Sequence, residues 1–403
     1  MESRSNPQSR RWLNSTVLGI GLASLCSDVG HEMATTAMPA LLATLGASSA
    51  ILGVIEGVSD GLSSFAKLAS GLYSDRLRRR KPLAVIGYFV TASGMASFTL
   101  ATQWWHVLLG RAGGWLGRGA RSPVRNVLLA DAVTPATYGR AFGFERALDS
   151  AGAILGPALT LAFVATVGLR RLFLLTLIPG IAAALLVAFL VREKPHEPQA
   201  HLRLWSGVRG LPGSFKRYLV GIGLAGIGDF SKTLLILWAT VAWTPRLGAV
   251  GAAQRAMLFY IGYNVVYTLS CYLSGALADR YPKRWVLAGG YSLAVIPALA
   301  LLFAGDSMVL FAVAFGVSGL YMGVWETVES ATSAEMLPGA TRGLGFGVLA
   351  TVNGAGDFLS SALVGTLWVL SPVAAMALVI VASLVGAAII ASTPPHEASA
   401  TAT

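Results

Sequence analysis

The sequence predicts an all-α membrane protein with twelve transmembrane helices, arranged as two pseudo-symmetric six-helix bundles. Three observations support this fold class. Only 12% of the 403 residues are charged, whereas a soluble domain carries about a quarter, and the mean hydropathy is +0.65. Apolar stretches of about 20 residues, long enough to cross a bilayer, recur along the chain. Finally, the two halves of the chain repeat each other.

The predicted spans follow from these apolar stretches. A polar segment at 193–216, which contains Pro195, Pro198 and Pro212, separates the sixth span from the seventh. We interpret it as a cytoplasmic linker between an N-terminal bundle (1–192) and a C-terminal bundle with a short tail (217–403). The spans lie near 14–38, 50–73, 82–102, 104–128, 141–166, 170–191, 217–241, 254–277, 284–304, 307–332, 343–366 and 370–392.

The basic residues indicate how the helices are oriented. A formal charge of +11 would suit a nucleic-acid-binding protein, but such a protein needs its cations on one soluble surface. Here Lys and Arg are concentrated in alternate loops, and the other loops hold only Arg170, Arg171, Arg246 and Arg255. Because cytoplasmic loops keep the cations, we expect both termini in the cytoplasm, a bacterial inner-membrane location and no nucleic-acid partner.

Three short stretches of the first half return in the second half. GIGLASLCSD begins at Gly19 and GIGLAGIGD at Gly221, SGLYSDR begins at Ser70 and SGALADR at Ser274, and RAFGF begins at Arg140 and RGLGF at Arg342. Each half therefore holds six spans of one design. Since six is even, both halves have the same orientation, as in parallel repeats about an axis along the membrane normal.

A charged motif follows spans 2 and 8, as SGLYSDRLRRR from Ser70 and as SGALADRYPKR from Ser274. This motif resembles the cytoplasmic-loop signature of the major facilitator superfamily. This resemblance covers the whole chain and implies twelve helices and secondary transport by rocking-type alternating access. It also implies that the loops act as gates, joining the two halves in one state and releasing them in the other. The motif residues are Gly71, Asp75, Arg76, Arg79 and Arg80 after span 2, and Gly275, Asp279, Arg280, Lys283 and Arg284 after span 8.

The dense charge of the first loop has two interpretations. Arg and Lys in a short inner loop fix the orientation of the protein, which would make the motif a topology signal only. The alternative is the gate, because Asp75 beside a helix end can pair with the Arg cluster or with the N-terminus of a neighbouring helix. The recurrence of the same spacing in both halves favours the gate.

Ionisable residues inside the spans predict a water-filled interior. Such a residue costs about 2.5–3.5 kcal/mol at the bilayer centre and usually lines water or pairs with another charge. Asp28 and Glu32 are four residues apart, as are Glu56 and Asp60, so each pair shares one helix face. The alternative is a static ion pair in which Arg118 holds Asp28 and Asp60. The candidates for proton coupling are Asp28, His31, Glu32, Glu56 and Asp60.

A second set of polar residues in the spans is expected to line the cavity and bind the substrate. Arg binds carboxylate and phosphate in a bidentate way, which suggests an anionic or zwitterionic organic substrate. Alternatively, Arg121 and Arg125 lie near the cytoplasmic end of span 4 and only snorkel to water. The cavity candidates are Arg111, Arg118, Asp149, Asp229, Lys232, Glu326, Glu329 and Asp357.

Span 5 contains Gly152-x-x-x-Gly156-Pro157, which is similar to the antiporter signature of drug-exporting members of the superfamily. Thr160 and Leu161 replace the two glycines that close that signature. Small residues at this spacing let helices approach closely, so helix packing is the alternative interpretation. The motif favours export.

The remaining expectations rest on missing motifs. No Gly-x-x-x-x-Gly-Lys-(Ser/Thr) stretch is present, and neither are the common hydrolase and metalloprotease motifs, so we expect no catalytic residue, metal or cofactor and no ATP-driven transport. We expect a monomeric, proton-coupled antiporter that exports a small organic solute, drug-like or siderophore-like. The alternatives are a proton symporter that imports an organic anion and, from another class, a membrane sensor or scaffold that transports nothing.

Overall fold

The structure is a computed structural model that describes residues 12–229 and 232–394. Within these ranges the chain forms helices and no β-strand. It divides into two compact units: the first comprises 1–210 and 337–351, and the second comprises 211–336 and 352–403. The segment before the first predicted span and the predicted C-terminal tail lie largely outside the described residues.

The first unit contains eight helices and the start of a later one. Asn14 caps the first helix by accepting hydrogen bonds from the backbone N–H groups of Thr16 and Val17. Gly168, at a φ of 81°, separates the fifth helix from the sixth. The helices are α1 (Ser15–Thr44), α2 (Ser49–Arg76), α3 (Lys81–Ala96), α4 (Trp104–Asp131), α5 (Tyr138–Val167), α6 (Leu169–Leu175), α7 (Leu177–Leu190) and α8 (Leu204–Gly210).

Small residues allow the helices of the first unit to pack closely. α4 packs against α2 and α3, and α1 packs against α5 and α7. A Cβ atom added to Gly94 of α3 would lie 2.6 Å from the backbone of Gly110 and Gly114 of α4. Such contacts bring backbones together, so the polar side chains that these helices carry are held inside the unit.

The second unit contains the remaining helices. Gly248, at a φ of 70°, interrupts the 47-residue α10 and divides it into parts that correspond to predicted spans 7 and 8. The first turns of α14 belong to the first unit and the rest to the second. The helices are α9 (Gly213–Ile227), α10 (Lys232–Ala278), α11 (Lys283–Ser292), α12 (Val295–Phe303), α13 (Met308–Met336), α14 (Arg342–Leu370) and α15 (Pro372–Ala391).

The predicted all-helical fold class is confirmed. Among the described residues, eight helical segments are long and apolar enough to cross a membrane by length and composition alone. They include neither α1, α2 nor α4, the helices that carry most of the ionisable residues inside the predicted spans of the first half. Three predicted spans are broken: span 6 is α6 and α7, span 7 is α9 and the start of α10, and span 9 is α11 and α12. The predicted linker contains the short helix α8.

Candidate functional site

One face of α4 carries a row of polar side chains that organises the first unit. Its members are three or four residues apart, so they lie on one side of the helix. The row covers 14 helical steps, or about 21 Å at 1.5 Å per residue, which is most of the hydrocarbon thickness of about 30 Å. We call it the α4 polar row, and it consists of Arg111, Trp115, Arg118, Arg121 and Arg125.

Arg111 and Trp115 bind the carboxylates of α2. Nη2 of Arg111 donates to both oxygens of Glu56, at 2.9 and 2.7 Å. The guanidinium lies 3.9 Å from the centre of the Trp115 ring, and Nε1 of Trp115 donates to Asp60 at 2.7 Å. The ring of His31 packs 4.3 Å from that of Trp115. Asp60 therefore binds an indole rather than Arg118.

Arg118 connects α4 to α1. Its Nη1 donates to Oδ1 of Asp28 at 3.0 Å. The Asp28 side chain is 5% exposed and the Arg118 side chain is 29% exposed. The Arg118 side chain is therefore less confined by its neighbours than the Asp28 side chain. The sequence had suggested a static pairing of Arg118 with both Asp28 and Asp60, and the structure brings only Asp28 to it.

The glycines of α5 lie against the carboxylates of α1. A Cβ atom added to Gly152 would lie 2.8 Å from Cβ of Asp28, and one added to Gly156 would lie 2.5 Å from Cβ of Glu32. The Gly-x-x-x-Gly spacing therefore sets the distance between α5 and the two acidic residues. Thr160, which occupies a closing-glycine position, donates to the carbonyl oxygen of Met33 at 3.2 Å.

Arg121 and Arg125 are 1% and 5% exposed, so neither snorkels to water. Nη2 of Arg121 donates to Ser27 at 2.8 Å, and its guanidinium lies 4.1 Å from the centre of the Tyr88 ring. Its Nε and Nη1 atoms have no hydrogen-bond partner within the described part of the chain. Burial of such a cation inside a membrane protein is costly, which makes this end of the row a candidate functional site.

Arg125 binds two carboxylates of α5. Nη1 of Arg125 lies 2.7 Å from Oε1 of Glu145 and 3.5 Å from Oδ1 of Asp149. Ser24 donates to the same Glu145 oxygen at 2.7 Å and accepts a 3.0 Å hydrogen bond from Arg125. Glu145 is fully buried. It was not among the proton-coupling and cavity candidates chosen from the sequence, although its four-residue spacing from Asp149 was a signal for it.

The second unit holds a buried carboxylate that binds neutral donors. Glu329 of α13 accepts from Nε1 of Trp325 at 2.6 Å, from Nδ2 of Asn353 at 2.6 Å and from the Tyr291 hydroxyl at 3.1 Å. Its neighbour Glu326 accepts from the Tyr267 hydroxyl at 2.5 Å. Glu329 thus joins α13 to α11 and α14. Sequence reasoning selected both glutamates but none of these donors.

Asp229 lies just after the end of α9 and lines a small cavity of about 30 Å³ with Lys232, Tyr263 and Tyr321. Lys232 begins α10 and is exposed. Asp229 is within electrostatic range of Lys232, Asp357 and Glu326, and Asp357 is exposed on α14. Four of the predicted cavity residues are therefore near one another, at a break between two helices.

The loop between α2 and α3 has a buried acidic centre. Asp75 accepts hydrogen bonds from the backbone N–H groups of Gly343 at 3.0 Å and Leu344 at 2.8 Å, and from Nη2 of Arg80 at 2.9 Å. Burial raises the pKa of Asp75, while Leu344, Arg80 and Gly343 act in the opposite direction. A Cβ atom added to Gly71 would collide with the carbonyl oxygen of Gly343, so this approach requires glycine.

Further contacts extend from this centre. Arg80 and Arg342 both pair with Asp131 at the end of α4. Arg76 donates to the carbonyl oxygen of Leu202, and Arg79 is exposed.

The equivalent motif after α10 has different partners. Lys283 pairs with Glu335 at 2.6 Å, and Arg284 donates to the Thr393 carbonyl oxygen at 2.8 Å. Arg280 is exposed, and Asp279, four residues after Gly275, is half-buried.

A sequence model of the Major Facilitator Superfamily matches residues 20–250, more than half of the chain, so the chain belongs to this superfamily. An uncharacterized MFS-type transporter of Methanocaldococcus jannaschii is 26% identical over 374 residues, which cover 92% of each chain. An uncharacterized protein of Mycobacterium tuberculosis H37Rv is 29% identical over 388 residues, 91% of this chain and 89% of that protein.

The fold also matches a solved transporter. The crystal structure of the Escherichia coli fucose:proton symporter FucP gives a TM-score of 0.71 at 16% identity and covers 93% of this chain and 97% of that one. At this identity the likeness shows the fold alone. The family expected from the loop motifs is confirmed, and the protein is a multi-pass secondary transporter.

Proposed function

We propose that the protein is a proton-coupled antiporter that exports a small organic solute by alternating access. The observation that carries this proposal is the ion pair between Arg118 and the buried Asp28. A carboxylate in such a position is stable when a cation neutralises it or when a proton does, because a lone buried charge is costly. The proton and Arg118 therefore compete for Asp28.

The accessible carboxylates near the α4 polar row favour exchange of a proton for a positively charged or hydrogen-bond-donating solute. The side chains of Glu32 and Glu56 are 28% and 35% exposed, and Asp60 is exposed. By contrast, Arg111, Arg121 and Arg125 are buried. Water and solute therefore meet carboxylates first. A solute that binds in this carboxylate-rich region would compete with the proton that neutralises Asp28, and such competition is what antiport requires.

The loop between α2 and α3 supports a conformational role beside the binding role. We take the contact of Asp75 with the N–H groups of Gly343 and Leu344 as the cytoplasmic gate of the transport cycle. Because two N–H groups and Arg80 bind one carboxylate, the loop holds the start of α14 only while these bonds persist. The orientation that the basic loops favour puts both termini in the cytoplasm of a bacterial cell.

Transport by the purified protein in proteoliposomes tests the proposal. A panel of organic cations, zwitterions and anions is offered while a pH gradient is imposed. We expect movement of a cationic or zwitterionic solute against the proton flux, and in Asp28→Asn we expect solute exchange without a response to the gradient. Asp306→Asn is the matched control, since Asp306 forms an exposed pair with Arg246 at 2.8 Å. A wild-type response in Asp28→Asn would contradict the proposal.

A second candidate function is a proton symporter that imports an organic anion. Buried Arg121 favours it, because its Nε and Nη1 atoms lack a partner within the described residues and a guanidinium binds carboxylates well. Protonation of Asp28 would also release Arg118 to such an anion. In the same liposomes a symporter moves the anion with the proton flux, and antiport moves the solute against it. If no gradient moves any solute of the panel, a sensor or scaffold on this fold becomes the better account.

A further inference from the structure

Asp149 of α5 is held more loosely than its neighbour Glu145. Its Oδ1 lies 3.5 Å from Nη1 of Arg125 and its Oδ2 lies 3.9 Å from Nη1 of Arg146. Charge-assisted N–H···O bonds are usually about 2.7–2.9 Å long, which is the length of the contact between Arg125 and Glu145. The tight partner of Arg125 is therefore Glu145, and Asp149 can accept a further cation.

Arg118 is one of the cations of α4 that interact electrostatically with Asp149. Asp149 interacts electrostatically with Arg118 and with Asp28, and Gly152, one turn further along α5, touches the Asp28 side chain. Arg125 is fixed by Glu145 and Ser24. The partly exposed guanidinium of Arg118 has the freedom that Arg125 lacks.

We propose that Asp149 is the alternative counterion of Arg118. When a proton neutralises Asp28, Arg118 loses its partner on α1 and pairs with ionised Asp149 on α5; when Asp28 releases the proton, Arg118 returns. The proton comes from water and goes back to water, and Asp149 remains charged throughout. This inference rests on the proposed proton coupling at Asp28, and it makes Asp149 a positioning residue that converts protonation into a change between α1 and α5.

The charges around Asp149 suit this role. Arg118, Arg121 and Arg125 of α4 all interact with it electrostatically, and a negative charge on Asp149 repels a second negative charge on Asp28. The titratable and charged groups that interact with Asp28, Arg118 or Asp149, or lie beside them, are Asp28, His31 and Glu32 on α1, Arg118, Arg121 and Arg125 on α4, and Glu145, Arg146 and Asp149 on α5.

Infrared difference spectroscopy of the full-length protein in lipid bilayers tests the switch without a known substrate. The probe is the proton itself: acidification produces a carboxylic-acid C=O band, and the part that is lost in Asp28→Asn belongs to Asp28. In Asp149→Asn we expect the midpoint of this band to move to lower pH by about one unit, equivalent to about 1.4 kcal/mol. Asp149→Glu keeps the charge, and its midpoint should stay close to that of the wild type.

The outcomes separate the two proposals. An Asp28 band whose midpoint is the same in wild type, Asp149→Asn and the control Asp306→Asn would overturn the role of Asp149 and leave proton coupling intact. The absence of any Asp28 band in the wild type would overturn both.

If Asp149→Asn does not fold, a second comparison tests the proposal. The midpoint of the Asp28 band is measured in the single variant Arg118→Lys and in the double variant Arg118→Lys with Asp149→Glu. The shorter cation should reach the longer carboxylate of the glutamate better than the native aspartate, and the midpoint of the Asp28 band should rise in the double variant. An equal midpoint in the single and double variants would overturn the role of Asp149.

Discussion

The carboxylate of Asp75 accepts a 2.8 Å hydrogen bond from the backbone N–H of Leu344. Leu344 lies in the first turn of α14, where N–H groups have no partner within the helix and the helix dipole favours a negative charge. Gly343 donates to the same carboxylate. One fully buried acidic side chain thus caps a helix that is distant in the sequence.

Replacement of Asp75 by Asn should release the start of α14. The amide cannot accept from Gly343, Leu344 and Arg80 in the same geometry, and an unsatisfied buried donor costs about 1–3 kcal/mol. We expect amide hydrogen exchange over 342–346 to become about tenfold faster, since about 1.4 kcal/mol corresponds to a factor of ten. Asp279→Asn, at the equivalent position of the second repeat, is the control and should leave this exchange unchanged. Equal exchange in Asp75→Asn and wild type would show that the cap is dispensable.

Alanine at Gly152 or Gly156 should force α5 away from α1. The added methyl group would lie 2.8 Å from Cβ of Asp28 or 2.5 Å from Cβ of Glu32, and such overpacking costs about 1–3 kcal/mol. We expect a lower melting temperature and slower transport in both variants. Gly113→Ala is the control, because nothing lies within 4 Å of its added Cβ atom. A Gly156→Ala protein as stable and active as Gly113→Ala would refute the close contact.

Removal of the Glu145 charge should leave the buried cation of Arg125 with only the looser carboxylate of Asp149, at 3.5 Å. Loss of one partner of a buried ion pair costs about 3–5 kcal/mol, so Glu145→Gln should strongly lower the melting temperature in detergent. Arg125→Met combined with Glu145→Gln removes both charges, and we expect it to recover much of the loss. If the double variant melts no higher than Glu145→Gln, the two residues do not form the pair that the 2.7 Å distance indicates.

Glu329→Gln should destabilise the second unit. Glutamate accepts from Trp325, Tyr291 and Asn353 at once, whereas the amide group of glutamine would turn an N–H toward at least one of these donors. The cost of a buried unsatisfied donor is about 1–3 kcal/mol, and thermal unfolding measures it. Glu335→Gln removes a half-exposed partner of Lys283 and should change the melting temperature little. Equal melting of the two variants would contradict the role of Glu329 in joining the helices.

Sequence reasoning identified the charged residues of the site better than it identified their partners. Asp28 and Asp60 were both possible partners of Arg118 in the static ion pair that the sequence allowed, because residue counting gives the depth of a residue along its helix. Only Asp28 binds Arg118, and Asp60 accepts from Trp115. The rotation of α2 relative to α4 decides between these partners, and residue counting along one helix does not give that rotation.

The sequence by itself determined that this is a helical membrane protein, and it showed the repeated stretches and the loop motifs that identify its superfamily. This was possible because a bilayer has a nearly uniform thickness and excludes charge, so hydropathy and length suffice. The tertiary structure decided that Arg121 and Arg125 are buried, that Glu145 belongs to the site and that the first turn of α14 is held by Asp75. These facts depend on which helix faces pack together, and packing brings together residues that are far apart in the chain.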